Sequence, residues 1–60
     1  MDQVTGWKIG MAVKGLRDLV IAGDSYTNIW NYVADHSDDS NIHPVLMHEL
    51  RKYIDAGILF

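Results

Sequence analysis

The sequence has 60 residues and a mass of 6.8 kDa, which is enough for one small domain but not for two. It contains no cysteine, so disulfide bonds and cysteine-ligated zinc sites are excluded. Hydrophobic residues make up 48% and charged residues 22%, as in folded globular chains. Eight acidic and five basic residues give a formal net charge of −3, so no overall positive field draws the chain toward nucleic acid or anionic lipid.

The longest unbroken apolar run covers only residues 19–22. This run is much too short for a membrane span or for the core of a signal peptide. We therefore expect a chain that is not exported and has no membrane partner. The expected location is the cytoplasm, or the nucleus in a eukaryote.

The first predicted helix covers about residues 5–22. Its apolar residues recur at helical spacing and form one stripe, which contains Ile9, Val13, Leu16 and Val20. Gly23 follows at the position where a left-handed residue ends a helix. Gly6, Gly10 and Gly15 each cost about 0.5–1 kcal/mol relative to alanine inside a helix. They predict a frayed start or the close approach of another backbone.

The second predicted helix covers about residues 26–36. Ser25 or Asp24 is suited to cap its first turn. One face of this helix is apolar and contains Tyr26, Ile29, Trp30 and Val33. An acidic polar turn at residues 37–42 separates this helix from the next one.

The third predicted helix covers about residues 44–56. Pro44 suits the first helical position, and Ile42 and Met47 are spaced as a hydrophobic staple. The buried stripe is predicted to contain Leu46, Met47, Leu50, Tyr53 and Ile54. Gly57 is placed to end the helix and to let Ile58 fold back on Tyr53 in a Schellman motif. Residues 1–60 are thus expected to form a single all-α domain, a three-helix bundle.

The order of these helices resembles a helix-turn-helix core of the winged-helix superfamily, and the pattern is most similar to the globular domain of linker histones. The resemblance covers residues 11–60. The matching residues are Met11, Val13, Leu16, Leu19, Gly23, Asp24, Ser25, Ile29, Tyr32, Val33, His36, Leu46, Leu50, Gly57, Ile58 and Leu59. The resemblance implies a helix-turn-helix fold and a DNA-binding regulatory function.

The sequence departs from the linker-histone pattern in two respects. Linker-histone-like domains have many lysines and arginines on the third helix and on the wing, whereas the third helix here has two basic residues and two acidic ones. The sequence also ends at Phe60, directly after the segment that would form the first strand of the wing. We therefore expect a winged-helix-like domain that is wingless or is completed by another chain.

Double-stranded DNA is the first expected partner, with the third helix in the major groove and the first helix near backbone phosphates. The predicted DNA-binding residues are Val45, His48, Glu49, Arg51 and Lys52 on the third helix and Lys8, Lys14 and Arg17 on the first. One copy reaches about three or four phosphates, too few for tight binding at physiological salt. A homodimer is therefore expected.

A protein of the nucleic-acid machinery is the alternative partner. Three short helices have limited room to bury large apolar groups, and aromatic residues and methionine are typical interface anchors. The predicted protein-interface residues are Trp7, Met11, Tyr32 and Phe60. In this interpretation the chain is a small acidic adaptor or inhibitor, of the kind that phages often encode.

No catalytic site, metal, cofactor or small-molecule substrate is expected. The acidic turn lacks the ligand positions and the glycine of an EF-hand loop. The three histidines lack the i, i+4 spacing that would place two imidazoles on one helical face. No nucleophile motif or glycine-rich phosphate loop is present, so the sequence does not predict an enzyme.

Overall fold

The computed structural model describes residues 3–58. These residues form three helices and no strand: α1 (Gln3–Ile21), α2 (Tyr26–Ala34) and α3 (His43–Asp55). Each helix contacts both of the others, and the molecule measures 35 × 18 × 18 Å. The predicted all-α class with three helices is confirmed for this part of the chain, and the arrangement is compatible with a three-helix bundle.

The helix boundaries differ from the predicted ones by one or two residues. α1 begins at Gln3 rather than at residue 5 and ends at Ile21. α2 ends at Ala34 instead of residue 36, and the chain continues from there through hydrogen-bonded turns. α3 begins one residue earlier than predicted, at His43, so that Pro44 is the second helical residue.

Seven apolar residues form the buried core, and the core draws on every helix. α1 contributes Ala12 and Leu16, and α2 contributes Ile29 and Val33. The remaining three are Ile42, Leu46 and Leu50. The buried part of α1 therefore begins at Ala12, and none of residues 3–11 is fully buried.

Two glycines end helices in Schellman geometry, which the sequence predicts at Gly57, whereas at Gly23 it predicts a left-handed residue. Gly23 has a φ of 71° and follows α1, where the Asp24 amide donates to the Leu19 carbonyl at 3.1 Å. Gly57 has a φ of 74° and follows α3. There the Ile58 amide donates to the Tyr53 carbonyl at 3.0 Å. Both turns use a left-handed backbone conformation that glycine adopts without steric cost.

Polar side chains organise the starts of α2 and α3. Ser25 caps α2, since its hydroxyl accepts a hydrogen bond from the Asn28 amide at 3.1 Å. The Asp24 carboxylate accepts from the Asn28 side chain and the Ser25 amide, and these bonds lower the pKa of Asp24. Before α3, the Asp39 carboxylate accepts from the amides of Asn41 and Ile42. These bonds fix the direction in which each helix leaves its turn.

The Tyr32 side chain connects α2 to α1 through close packing and one hydrogen bond. Its phenol donates to the Ala12 carbonyl at 2.8 Å. Its ring lies over Gly15, where an added Cβ atom would stand only 2.9 Å from the ring carbon Cζ. The predicted close approach to α1 is therefore made at Gly15 by an aromatic side chain rather than by a backbone. Gly10, in contrast, has open space around its Cα.

Gly15→Ala and Gly10→Ala are expected to change stability in opposite directions. Gly10→Ala should raise the free energy of unfolding by up to about 1 kcal/mol, because alanine is the better helix former. Gly15→Ala should lower it by about 1 kcal/mol, because the Tyr32 ring has to move and lose its hydrogen bond and packing. Urea unfolding followed by far-UV circular dichroism measures both. Equal stabilisation by the two variants would contradict the role of Tyr32.

Candidate functional site

The outward side of α3 contains three of the five residues of this helix that were predicted to contact DNA. His48, Arg51 and Lys52 are exposed on the side of the helix away from Leu46 and Leu50. The other two, Val45 and Glu49, are half-buried at the edge of this surface. We call His48, Arg51 and Lys52 the α3 face.

The charges on the α3 face are only partly neutralised by neighbouring carboxylates. Lys52 Nζ lies 3.3 Å from Glu49 Oε1. Arg51 is exposed and has no ion pair with any residue between 3 and 58. Asp55 is also exposed, one turn beyond Arg51. The Lys52 side chain is 59% exposed, so its ammonium group is open to a phosphate as well as to Glu49, whose side chain is only 18% exposed.

The three basic residues of α1 are exposed but do not share one side of the helix. Lys8 and Arg17 are nine residues apart, which is two and a half turns, so they lie on opposite sides. Lys14 Nζ is paired with Asp18 Oδ2 at 3.2 Å. One DNA surface therefore does not reach all three predicted α1 contacts at once.

Large apolar side chains are exposed on the N-terminal half of α1. Val4, Trp7 and Met11 are 60%, 65% and 54% exposed. Trp7 is nine residues before the buried Leu16 and so lies on the opposite side of the helix. An open depression of about 380 Å³ is lined by Gln3, Val4 and Trp7. Val4 was not among the predicted interface residues, although its i, i+3, i+7 spacing with Trp7 and Met11 is a signal for it.

The structure places the other two predicted interface residues differently. Tyr32 is half-buried, and its ring contacts α1 on one side and the imidazole of His36 on another, with ring centroids 4.9 Å apart. His36 Nδ1 donates to the Tyr32 carbonyl at 2.8 Å. Phe60 lies outside the described residues.

The described residues carry no other chemically distinctive cluster. Between residues 3 and 58, no group of three histidine, cysteine, aspartate or glutamate side chains is placed to hold a metal ion. No helix in this range is long and apolar enough to cross a membrane. No protein-family model, curated protein or solved structure matches this chain. Function is therefore inferred from the α3 face and from the apolar side of α1.

Tyr32→Phe is expected to remove part of the loss of stability at alkaline pH. Burial raises the pKa of the Tyr32 phenol above its ordinary value of 10.0, and the negative charge of Asp18 raises it further. The phenol therefore contributes stability that is complete below the unfolded-state pKa and is lost as the pH rises through the folded-state pKa. Urea unfolding of both proteins at about pH 8 and about pH 11 measures the difference. An equal alkaline loss in both proteins would contradict this assignment.

Proposed function

We propose that this protein is a small regulatory module of helix-turn-helix type that binds double-stranded DNA through the α3 face and acts as a dimer. Its role would be the control of transcription or of another DNA transaction. The observation that carries the proposal is the grouping of His48, Arg51 and Lys52 on the exposed side of a 13-residue helix. The resemblance of residues 11–60 to the winged-helix core supports it.

The chemistry of the α3 face suits both base edges and phosphates. An arginine guanidinium is planar and can donate two parallel hydrogen bonds to a guanine edge or to a phosphate. Arg51 is unpaired within residues 3–58 and is the strongest candidate for such a contact. Lys52 supplies a point charge for the backbone. His48 lies one turn before Lys52 and adds a further hydrogen-bonding group to the same surface.

The charge distribution restricts how DNA can approach. Residues 24–39 contain four aspartates and no lysine or arginine, whereas α1 contains three basic residues and one acidic residue. α2 and the turn after it must therefore point away from the duplex. One copy offers about three phosphate contacts from the α3 face and its surroundings, so two copies are needed for useful affinity at physiological salt.

Fluorescence anisotropy with a labelled duplex tests the proposal. With about three contacts per copy, affinity between about 50 and about 200 mM salt should fall about 40-fold if one copy binds and on the order of 10³-fold if both copies of the dimer bind. Arg51→Gln should weaken binding about threefold to tenfold, because it removes one charged contact. Asp55→Asn should strengthen binding by a similar factor, because it removes a negative charge beside Arg51.

Asp38→Asn is the matched control, because it changes the net charge as Asp55→Asn does but lies in the turn after α2. It should leave affinity nearly unchanged. Equal effects of the two substitutions would show that only net charge matters and would remove the α3 face from the proposal. An absence of binding at about 50 mM salt would overturn DNA binding altogether.

A protein-binding adaptor or inhibitor is the second candidate function, and the exposure of Val4, Trp7 and Met11 favours it. In this case Trp7→Ala should abolish capture of the partner from an extract of the source cells, while Arg51→Gln should leave capture intact. The melting temperature of Trp7→Ala should change little, because this side chain is exposed. A large drop in melting temperature would instead show that Trp7 supports the fold.

A further inference from the structure

We infer that the exposed side of α1 is the contact surface of a homodimer in which the two α1 helices pack antiparallel. The inference provides the dimer that DNA binding through the α3 face requires. It is independent of DNA binding, because the surface and the test are different.

The contact surface is a line of six residues that runs along the whole of α1. Spacings of three and four residues alternate along this line, as at the contact positions of a coiled coil. All six side chains are exposed, and the line lies away from the buried residues Ala12 and Leu16. We call this line the α1 seam. Its members are Val4, Trp7, Met11, Lys14, Asp18 and Ile21.

The order of side chains along the α1 seam favours an antiparallel pair. Both ends of the seam are apolar. Ile21, which is 75% exposed, forms the C-terminal end. Lys14 and Asp18 lie between the ends and form an ion pair at 3.2 Å. In a parallel dimer each of these charges would face the same charge on the second copy, which is unfavourable. An antiparallel dimer avoids this opposition.

A two-fold axis midway between residues 11 and 14 gives every seam residue a suitable partner. Val4 then faces Ile21 of the second copy, which is an apolar contact. Trp7 faces Asp18 of the second copy, whose carboxylate can accept a hydrogen bond from the indole N–H. Met11 faces Lys14 of the second copy, whose methylene groups can cover the thioether while its ammonium group stays in water.

This self-complementarity is the reason to assign the seam to a second copy rather than to another protein. An isologous interface requires that one sequence supply both sides of each contact, and the α1 seam does so at all six positions. A binding site for a different protein does not need such a pattern. The two charged residues are informative, because in this register neither faces a like charge: Lys14 lies opposite Met11 and Asp18 lies opposite Trp7 of the second copy.

The size of the surface determines the expected strength of the dimer. A 19-residue helix is about 28 Å long and about 10 Å wide, so pairing covers a few hundred Å² on each copy. A standard stable interface covers about 800 Å² per partner. The α1 contact is smaller than that, so we expect a weak dimer that dissociates on dilution.

Cysteine cross-linking tests the register, because the natural sequence has no cysteine. Val4→Cys and Ile21→Cys variants are mixed and oxidised mildly. The mixed disulfide between the two variants should form at least about tenfold faster than either homodisulfide, since the paired helices hold the two thiols together. Thr27→Cys, which is exposed on α2 away from the seam, is the control and should not cross-link preferentially with either variant. Faster homodisulfide formation by Val4→Cys would indicate a parallel pair and overturn the inference.

Sedimentation equilibrium without DNA tests the dimer itself. The natural sequence should show a monomer–dimer equilibrium at concentrations up to about 1 mM, and Trp7→Ala should be monomeric with unchanged helical content. A natural protein that remains monomeric up to about 1 mM would overturn the inference. That result would show that the α1 seam does not bind a second copy, and it would leave a DNA-binding result on the α3 face unaffected.

Discussion

The difference in length between α1 and its two neighbours determines which surfaces the protein exposes. α1 has 19 residues and is about 28 Å long, whereas α2 and α3 have 9 and 13 residues and are about 14 and 20 Å long. Full burial of α1 begins at Ala12, and before it Ile9 is partly buried against the core. The core is consequently limited to seven residues, and the N-terminal half of α1 keeps an apolar side without a neighbour within the described chain.

Charge is distributed unevenly over this scaffold. Two of the acidic residues near α2 also stabilise helix starts. The Asp24 carboxylate accepts hydrogen bonds at the start of α2, and the Asp39 carboxylate accepts them before α3. The basic residues are on α1 and α3, where their side chains are exposed. The two proposed contacts, one with DNA and one with a second copy, would therefore use separate outer surfaces. A dimer formed through α1 would leave the α3 face of each copy open.

The parts of the fold that depend on local chemistry could be predicted from the sequence. Helical periodicity identified three helices, and Gly23 and Gly57 identified the Schellman ends because a positive φ favours glycine. The start of α1 was predicted two residues late, because the helix tolerates the nearby glycines. The start of α3 was predicted one residue late, because Ile42 rather than His43 takes the N-cap position, with a helical backbone conformation.

The candidate site depended on information that periodicity does not contain. The half-burial of Val45 and Glu49 follows from how α3 is rotated against the core, and one sequence does not specify that rotation. The spacing of Val4 with Trp7 and Met11 is a signal for the exposed side of α1, but it does not say whether that side is covered, and an apolar residue on a helix is usually assigned to the core. Trp7 was compatible with either location. The side of α1 on which Trp7 lies follows from the position of Leu16, which is the most deeply buried residue of this helix.

The fit of Tyr32 over Gly15 links two positions that are 17 residues apart in the chain. A larger residue at position 15 requires a shorter one at position 32, and a residue at position 32 that lacks both the phenol oxygen and the ring carbons nearest Gly15 removes the constraint on position 15. In chains descended from a common ancestor with this one, these two positions should therefore change together rather than one at a time. Such paired substitution would show that the packing of α2 against α1 was retained as the sequences diverged.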